Sequence, residues 1–369
     1  MSLNYYQGPL KALFSDNVPL IDVRAPVEFE NGAFPHALNL PLLDNGQRHE
    51  IGICYKAHGQ KEAIALGHRL VCGPDKSSKI EKWINEIESN PDCVLYCLRG
   101  GLRSQISQSW ILEEGKNVPI IKGGYKRLRN YLINNLEDSV KENSFLVISG
   151  NTGSGKTRVL NKLSKDGYKA IDLEGLANHR GSAFGQNPTP QPSQVSFENG
   201  ISIQFIKEEK KDSSVILFED ESIMIGQLQI PRSLYDKKKQ SPIFVLRIPK
   251  EERVELILED YVKAVWPRYE KLENRYEQFF DYFKLPFDRI KKRLGGLVHE
   301  ECLLDLQRAV SEQEKSDSFL SHRDWINKLL IHYYDPLYER GLAKKKSLVI
   351  GEGGAEELRV ILNSYSPEE

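Results

Sequence analysis

The residues best suited to catalysis lie at 97–104, where the chain reads Cys-Leu-Arg-Gly-Gly-Leu-Arg-Ser directly after the apolar run 94–96. Gly100 and Gly101 allow the loop to curl, because glycine adopts positive φ without steric cost. Converging backbone amides and the fixed charges of Arg99 and Arg103 would favour the thiolate of Cys97, the nucleophilic form of cysteine. We therefore expect an ionised and accessible sulfur at position 97.

A second chemical motif follows about fifty residues later, at 150–157, with the sequence Gly-Asn-Thr-Gly-Ser-Gly-Lys-Thr. It matches the phosphate-binding pattern Gly-x4-Gly-Lys-Thr, with an apolar strand before it and a helical pattern after it. The backbone amides would wrap a phosphate at the positive end of the helix, the lysine would reach the outer phosphate and the threonine could ligate Mg²⁺. The predicted phosphate-binding residues are Gly150, Gly153, Ser154, Gly155, Lys156 and Thr157.

Acidic residues follow a later apolar run, Val215 to Phe218. Glu219, Asp220 and Glu221 stand together where that predicted strand ends. One of them could hold Mg²⁺ directly or through water, as the acidic partner of the phosphate loop does in nucleotide-binding proteins. A solvated acidic loop is the alternative interpretation.

The elements around these motifs alternate between short β-rich runs and amphipathic helical patterns. This alternation predicts parallel sheets covered by helices, with ligands at the carboxyl ends of the strands, where Arg24 and Cys97 would both lie. A polar stretch at 137–143 suggests a junction, and the chain turns helical and highly charged after residue 250. We predict an α/β protein whose domains span 1–138 with the cysteine loop, 139–250 with the phosphate loop, and a helical region 251–369 packed on the latter.

The bulk composition is that of an ordinary globular protein of 369 residues with a net charge of −1. The near-zero charge excludes a global basic field, so a nucleic-acid partner must be held by local patches. The odd number of cysteines, five, argues against a disulfide framework, and no apolar run approaches the roughly 20 residues of a membrane helix. A cytoplasmic location fits these features best, because neither a secretory signal nor a membrane span is visible.

The spacing of Cys97 and Arg103 is that of cysteine phosphatases, whereas a shorter loop is typical of the persulfide carriers of the rhodanese type. Residues 20–41 distinguish the two, since they resemble the rhodanese entry segment: Asp-Val-Arg, a Glu six residues after the Asp, Gly-x3-His-Ala and Asn-x-Pro. The resemblance covers about residues 5–130 and implies that Asp22 and Arg24 flank the active loop, which also includes Ser104. The loop itself is one residue longer than in an ordinary rhodanese.

The longer loop and the fused phosphate loop together resemble the tRNA 2-selenouridine synthase family. Its further marks stand at 59–63, 65–70, 123–126, 173–185 and 219–226. The resemblance implies that the substrate is tRNA with 2-thiouridine at the wobble position, whose sulfur is first alkylated from geranyl diphosphate and then replaced by selenium from selenophosphate.

The same resemblance implies roles for individual residues. Cys97 would carry selenium as a perselenide or attack selenophosphate directly, while Arg99, Arg103 and the glycine amides would hold its phosphate portion. The phosphate loop would bind the pyrophosphate of geranyl diphosphate, or a nucleotide that gates tRNA binding. A supplier of selenophosphate is a further partner. Substrate contacts are expected from Gly67, His68, His179 and Arg180.

Candidate tRNA contacts lie in the helical third, at the basic residues of 289–293 and 344–346 and the aromatic residues Tyr261, Trp266, Tyr269 and Tyr276. An unpaired wobble base could stack on such a ring. Two other functions stay open: a cysteine-dependent sulfurtransferase or phosphatase fused to a nucleotide-binding, kinase-like domain, and a non-enzymatic nucleotide-gated thiol sensor or RNA-binding module.

Overall fold

A computed structural model describes residues 3–364. The chain forms two compact units, the first comprising residues 1–141 and 192–210 and the second residues 142–191 and 211–369. Among residues 3–364, no helix combines the length and the apolar character needed to cross a membrane.

The strands and helices are as follows, in chain order. The strands are β1 (Leu20–Asp22), β2 (Ala37–Asn39), β3 (Val94–Tyr96), β4 (Ser144–Ser149), β5 (Lys169–Ala170), β6 (Val215–Glu219), β7 (Met224–Ile225), β8 (Leu228–Gln229), β9 (Ile243–Leu246) and β10 (Val349–Gly353). The α-helices are α1 (Leu10–Ser15), α2 (Pro26–Glu30), α3 (Asn45–Leu70), α4 (Gly73–Ser89), α5 (Leu102–Glu113), α6 (Gly124–Glu142), α7 (Lys156–Lys165), α8 (Leu173–Leu176), α9 (Gln194–Glu208), α10 (Arg232–Gln240), α11 (Lys250–Ile257), α12 (Arg275–Leu294), α13 (Gly296–Ser316), α14 (His322–Leu329), α15 (Asp335–Ala343) and α16 (Ala355–Ser364). Short π-helical turns occupy Leu258–Lys263 and Leu330–Tyr334, and 3₁₀ turns occupy Trp266–Arg268 and Lys346–Leu348.

The first unit is built on a parallel sheet with the strand order β2-β1-β3. Asp22 at the end of β1 is in register with Tyr96 at the end of β3, so the residues that follow both strands emerge at the same sheet edge. Ile120 forms isolated parallel bridges to Tyr5 and to Leu95 of β3. The parallel sheet predicted from the alternating pattern is confirmed.

Two helices of the first unit differ from the sequence pattern. The polar stretch 137–143 continues α6 as far as Glu142, because Leu136 and Val140 keep a buried face at helical spacing. Helix α9 lies far along the chain, yet its Ile203 and Ile206 are buried in the same core as Phe14 and Tyr96. Its first turn is capped by Ser193, whose hydroxyl accepts a hydrogen bond from the Ser196 amide at 3.2 Å.

The second unit contains a five-stranded sheet of order β10-β9-β4-β6-β5, in which every pairing is parallel. The phosphate loop connects the central strand β4 to α7. The region after residue 250 is helical as predicted, except for β10, which pairs with β9 at the sheet edge. Its residues alternate between half-buried and exposed, which makes the strand hard to distinguish from a loop in the sequence.

Candidate functional site

The cysteine loop connects β3 to α5, and the first turn of α6 binds its backbone. The carbonyl oxygens of Cys97 and Leu98 accept hydrogen bonds from the amides of Tyr125 and Lys126, at 2.8 and 3.1 Å. Gly124 has φ +56°, and a Cβ there would lie 2.2 Å from the Cys97 carbonyl oxygen. Glycine at this position therefore permits a backbone approach that no other residue allows.

Cys97 itself is only 3% exposed and packs in an apolar cluster with Val23, Leu95 and Ile111. The prediction of an accessible sulfur is therefore wrong for this conformation. The reason is tertiary: the amides of Tyr125 and Lys126 bind the backbone carbonyls of Cys97 and Leu98, and the Cys97 side chain packs in the apolar cluster instead of facing solvent. The Arg99 side chain, in contrast, is exposed to solvent.

Arg103 is held by an acidic partner that the sequence analysis did not select. Its guanidinium binds both carboxylate oxygens of Glu28, at 2.5 and 3.1 Å. Burial by itself would lower the pKa of Arg103, but the hydrogen bonds that it donates to Glu28 raise it. The same hydrogen bonds lower the pKa of Glu28, against the effect of its own burial. Arg103 is thus fixed in direction and partly neutralised beside the cysteine loop.

Asp22 and Arg24 form a buried, bidentate ion pair with Nη2···Oδ2 at 2.7 Å. Arg24 also donates to the Gly32 carbonyl at 2.7 Å and lies 3.8 Å from the centre of the Tyr125 ring. These contacts occupy the Arg24 side chain, which is 2% exposed. The pair lies beside Tyr96, the residue before Cys97, and braces the loop from the sheet side.

Three other loop residues differ in their surroundings. Gly100 has φ +64°, and a Cβ would meet the Ile121 carbonyl oxygen at 2.4 Å. Gly101 precedes α5, and within the described chain no heavy atom lies within 4 Å of a Cβ built there. The Ser104 hydroxyl is fully buried, and residues 3–364 offer it no hydrogen-bond partner.

A cavity of about 790 Å³ opens beside the cysteine loop in the first unit. Gly67 and His68, predicted as substrate contacts, both line it, as do Arg99 and Arg103. Cys97 is not among its lining residues. The cavity walls are mainly apolar, although polar side chains of α3, including Arg48, Lys56 and Gln60, line it together with the loop arginines.

The phosphate loop has the backbone shape that its glycines predict, with φ +153°, +79° and +75° at Gly150, Gly153 and Gly155. The Lys156 ammonium donates to the Gly150 carbonyl at 2.9 Å and is buried. Burial alone would lower the pKa of Lys156, but Tyr338 and nearby carboxylates raise it. The lysine is therefore charged inside the loop that it closes.

Two residues remote in sequence hold this loop. Arg253 donates through Nε to the Thr152 carbonyl at 2.9 Å and forms an ion pair with Asp335. The Asp335 carboxylate in turn accepts a hydrogen bond from the side-chain amide of Asn151 at 2.8 Å. The buried Ser154 hydroxyl has no hydrogen-bond partner within the described residues.

Carboxylates gather in front of the phosphate loop, although not the three that adjacency in sequence suggested. Oxygens of Glu174, Glu219 and Glu221 lie within 4.8 Å of one another. The Thr157 hydroxyl lies 3.2 Å from Glu219 and 3.4 Å from Glu174. Asp220 points elsewhere, to the Ser149 hydroxyl at 2.9 Å and Lys345 at 2.6 Å. Neighbouring residues at a strand end face opposite sides, which explains the separation.

Burial raises the pKa values of Glu174, Glu219 and Glu221; repulsion by Glu221 adds to the effect at Glu174 and Glu219, and repulsion by Asp220 adds to it at Glu221. Glu219 is 2% exposed, and within residues 3–364 its Oε1 has no hydrogen-bond partner. Oxygen ligands of this kind beside a threonine hydroxyl fit Mg²⁺. Lys238 fixes the acidic turn from behind by donating to the carbonyls of Glu219 and Glu221, at 2.9 and 3.0 Å.

The remaining predicted contacts separate. Arg180 lines the phosphate-loop pocket, lies over the Tyr261 ring at 5.1 Å and donates to the Asp260 carbonyl. His179 is outside that lining, and burial lowers its pKa. Trp266 is 8% exposed and packs on Phe279, so in this conformation it is not free to stack on a base.

Most of the basic residues predicted to contact tRNA are exposed to solvent, unlike Trp266. Arg289, Lys291, Lys292 and Arg293 are all exposed on α12, as are Lys344 and Lys346 beyond α15. Lys345 is the exception, because it is paired with Asp220.

Glu28, Glu174 and Lys238 are the main site residues that sequence reasoning did not assign. Glu28 lies in the segment 20–41 and Glu174 in the segment 173–185, and both segments carry the family resemblance. Their place in these segments could therefore have indicated both glutamates as site residues. Lys238 sits in a run of three lysines that reads as a solvated face. Only its burial distinguishes it.

Comparisons with known proteins agree with both halves of this description. Residues 143–368 match a family model described as the tRNA 2-selenouridine synthase AAA domain, and residues 7–131 match a rhodanese-like domain. A tRNA 2-selenouridine synthase of Shewanella frigidimarina is 43% identical over 358 residues, covering 96% of each chain. Those of Marinobacter nauticus and Shewanella denitrificans are 44% and 45% identical, over 93% of this chain and 94% and 93% of theirs.

Proposed function

This chain belongs to the tRNA 2-selenouridine synthase family, and from that premise we propose how its two sites divide the reaction. The protein is an enzyme that transfers selenium onto tRNA. Its target would be 2-thiouridine at the wobble position, its selenium donor selenophosphate from a separate supplier, and its alkyl donor geranyl diphosphate. Because its substrate would be tRNA, we expect the protein to act in the cytoplasm. The near full-length match, which includes both motifs, carries the proposal.

The phosphate loop would serve the alkylation step. The thione sulfur attacks C1 of geranyl diphosphate, a sulfur–carbon bond forms, and the bonding pair of the carbon–oxygen bond leaves with pyrophosphate. The base loses its N3 proton to solvent, which leaves a neutral thioether. Lys156 and the loop amides would bind that pyrophosphate. Bound Mg²⁺, held by Glu174, Glu219, Glu221 and Thr157, would supply positive charge to it.

The cysteine loop would serve the selenium step. We assign Cys97 the direct attack on phosphorus: the thiolate forms the sulfur–phosphorus bond, the phosphorus–selenium bond breaks, and selenium leaves with the bonding pair as the hydrogenselenide anion, HSe⁻. This anion attacks C2 of the base and expels the geranylthiolate, after which water hydrolyses the phosphocysteine. No oxidant is needed, whereas a perselenide formed with release of phosphate would require one. Arg99 would hold the phosphate portion, and the loop must open to admit it, because Cys97 is 3% exposed.

Two variants separate the two steps. Purified Cys97→Ser should geranylate 2-thiouridine tRNA but form no 2-selenouridine, because serine is a far weaker nucleophile at neutral pH. Lys156→Ala should not geranylate, but should convert tRNA that is already geranylated. Mass analysis of the tRNA nucleosides reads both products. Matched controls are Cys72→Ser, at an exposed cysteine, and Lys162→Ala, at an exposed lysine of α7.

Each assignment has its own contradicting result. Unchanged selenation by Cys97→Ser would remove the cysteine from the mechanism. Normal geranylation by Lys156→Ala would make the phosphate loop a nucleotide site. If the wild-type protein left the nucleoside profile unaltered, a sulfurtransferase or phosphatase function would replace the proposed one.

A further inference from the structure

The apolar cavity of the first unit has no role in the chemistry described so far, although it adjoins the cysteine loop. Its volume of about 790 Å³ lies within the range of small-molecule sites in proteins. Apolar side chains from several elements form its walls, among them Ile51, Ile64, Leu98, Leu102, Ile106 and Trp110. A cavity of this size and character beside a candidate catalytic loop calls for a ligand with a substantial hydrocarbon part.

The shape of α3 creates the cavity. Gly59 has φ +83° and ψ −176°, which interrupts the helix so that its two segments point in different directions. Ile51 and Ile53 from the first segment and Ile64 from the second then line the same space. Without this break, one straight helix of 26 residues could not enclose it.

Gly67 keeps the cavity wide. A glycine inside a helix costs about 1 kcal/mol relative to alanine. Packing does not require it, since a Cβ at position 67 would meet only the Ile51 Cδ1 atom, at the ordinary contact distance of 3.5 Å. Small side chains on this face of α3, at Ala63 as well as Gly67, leave room for an occupant.

Polar side chains enter the cavity from the cysteine loop and from α3, where Arg48, Lys56 and Gln60 line it among the apolar residues. Arg99 and Arg103 come from the cysteine loop; Arg103 is paired with Glu28, which also lies 3.2 Å from Arg48 of α3, whereas Arg99 is exposed to solvent. A ligand that fits would place a polar group at the loop and an apolar chain between the segments of α3.

We propose that this cavity binds the acyclic hydrocarbon chain carried on the sulfur of the substrate base, and so selects the alkylated intermediate for the selenium step. The inference rests on the proposed function and deepens it. The nucleoside would face the loop side, where Arg99 stands, while the chain lies against Ile53, Ile64 and Trp110. Exchange of sulfur for selenium would thereby be restricted to bases that carry a good leaving group.

The test measures binding without turnover. S-geranyl-2-thiouridine and S-methyl-2-thiouridine nucleosides are titrated into the full-length protein by calorimetry, in the absence of a selenium donor. One buried methylene is worth about fourfold in affinity, so we expect the geranyl compound to bind at least 30-fold more tightly. Ile53→Asp places a charge at an exposed position of the lining and should weaken geranyl binding at least tenfold, with S-methyl binding unchanged.

The matched control is Ile133→Asp, at an isoleucine of α6 that is 41% exposed and outside the lining. Ile64→Trp, which fills the cavity with bulk rather than charge, gives a second and independent loss. Equal binding of the two nucleosides by the wild type, or unchanged geranyl binding in both cavity variants, would overturn the proposal. Because no selenium donor is present, these results are read separately from a failure of selenation, which would refute the proposed function instead.

Discussion

Substitution of Gly124 by alanine should destabilise the first unit and disturb the cysteine loop, and Gly73→Ala supplies the matched comparison. Both glycines stand at helix starts in this unit with nearly equal φ, +56° and +53°. A Cβ at Gly124 would lie 2.2 Å from the Cys97 carbonyl oxygen and 2.5 Å from the Gly100 nitrogen. At Gly73, no heavy atom of the described chain lies within 4 Å.

The magnitudes follow from these distances. A left-handed alanine costs roughly 1–2 kcal/mol, and the stiffer unfolded chain returns about 0.4–1 kcal/mol, so Gly73→Ala should lose about 1 kcal/mol. Gly124→Ala bears the same backbone cost plus an overlap with backbone atoms that cannot rotate away. Overpacking of this kind adds roughly 1–3 kcal/mol, for a total of about 2–4 kcal/mol.

Two cysteines of this unit provide the assay. Cys93 is fully buried at the start of β3, so its alkylation as a function of urea, measured by peptide mass spectrometry, reports unfolding of this unit alone. Cys97 is 3% exposed, so its alkylation without urea reports displacement of the loop. We expect a lower urea midpoint for Gly124→Ala than for Gly73→Ala, and Cys97 alkylation at least tenfold faster.

The reasoning would be refuted if the two alanine variants had the same midpoint and the same Cys97 alkylation rate. The close backbone approach between the cysteine loop and α6 would then have no energetic consequence.

Two further predictions concern pH. Burial, with added repulsion from neighbouring carboxylates, raises the pKa values of Glu174, Glu219 and Glu221, so the folded state holds their protons more tightly than the unfolded state. This contribution to stability is lost as pH rises above the unfolded value of about 4.5. Mg²⁺ should therefore raise the melting temperature more at pH 8 than at pH 6, and Glu219→Gln should reduce this difference. Scanning fluorimetry measures the melting temperatures, and an equal Mg²⁺ effect at both pH values would contradict the proposed Mg²⁺ site. Burial lowers the pKa of His322 to about 4, and its ring accepts from Trp325 at 3.0 Å, so stability that is present above about pH 6.5 is lost as pH falls towards 4. Between pH 7 and pH 5 the second unit should lose about 2 kcal/mol through this residue, and urea midpoints of His322→Gln that fall as steeply as those of the wild type would show that another group is responsible.

Local signals in the chain were sufficient to predict the parallel sheets, the phosphate loop and the cysteine loop. Their information is short-range: glycines at positions that need positive φ, apolar runs of strand length, and a lysine and threonine at helix entry. The family resemblance likewise rested on short segments, and it extended over most of the chain. Only the tertiary structure decided which side chains meet.

Glu174 joins Glu219 and Glu221 from more than forty positions away, while Asp220 faces a different neighbour, because a strand end alternates its side chains. Arg103 is paired with Glu28, and α6 binds the backbone carbonyl of the buried Cys97. The break at Gly59 separates the two segments of α3 that line the cavity. Helix α9 completes the first unit from far along the chain, since its buried face matches that core. None of these partners is encoded by spacing alone, because contacts between elements far apart in the chain depend on how the packed elements bury their apolar faces.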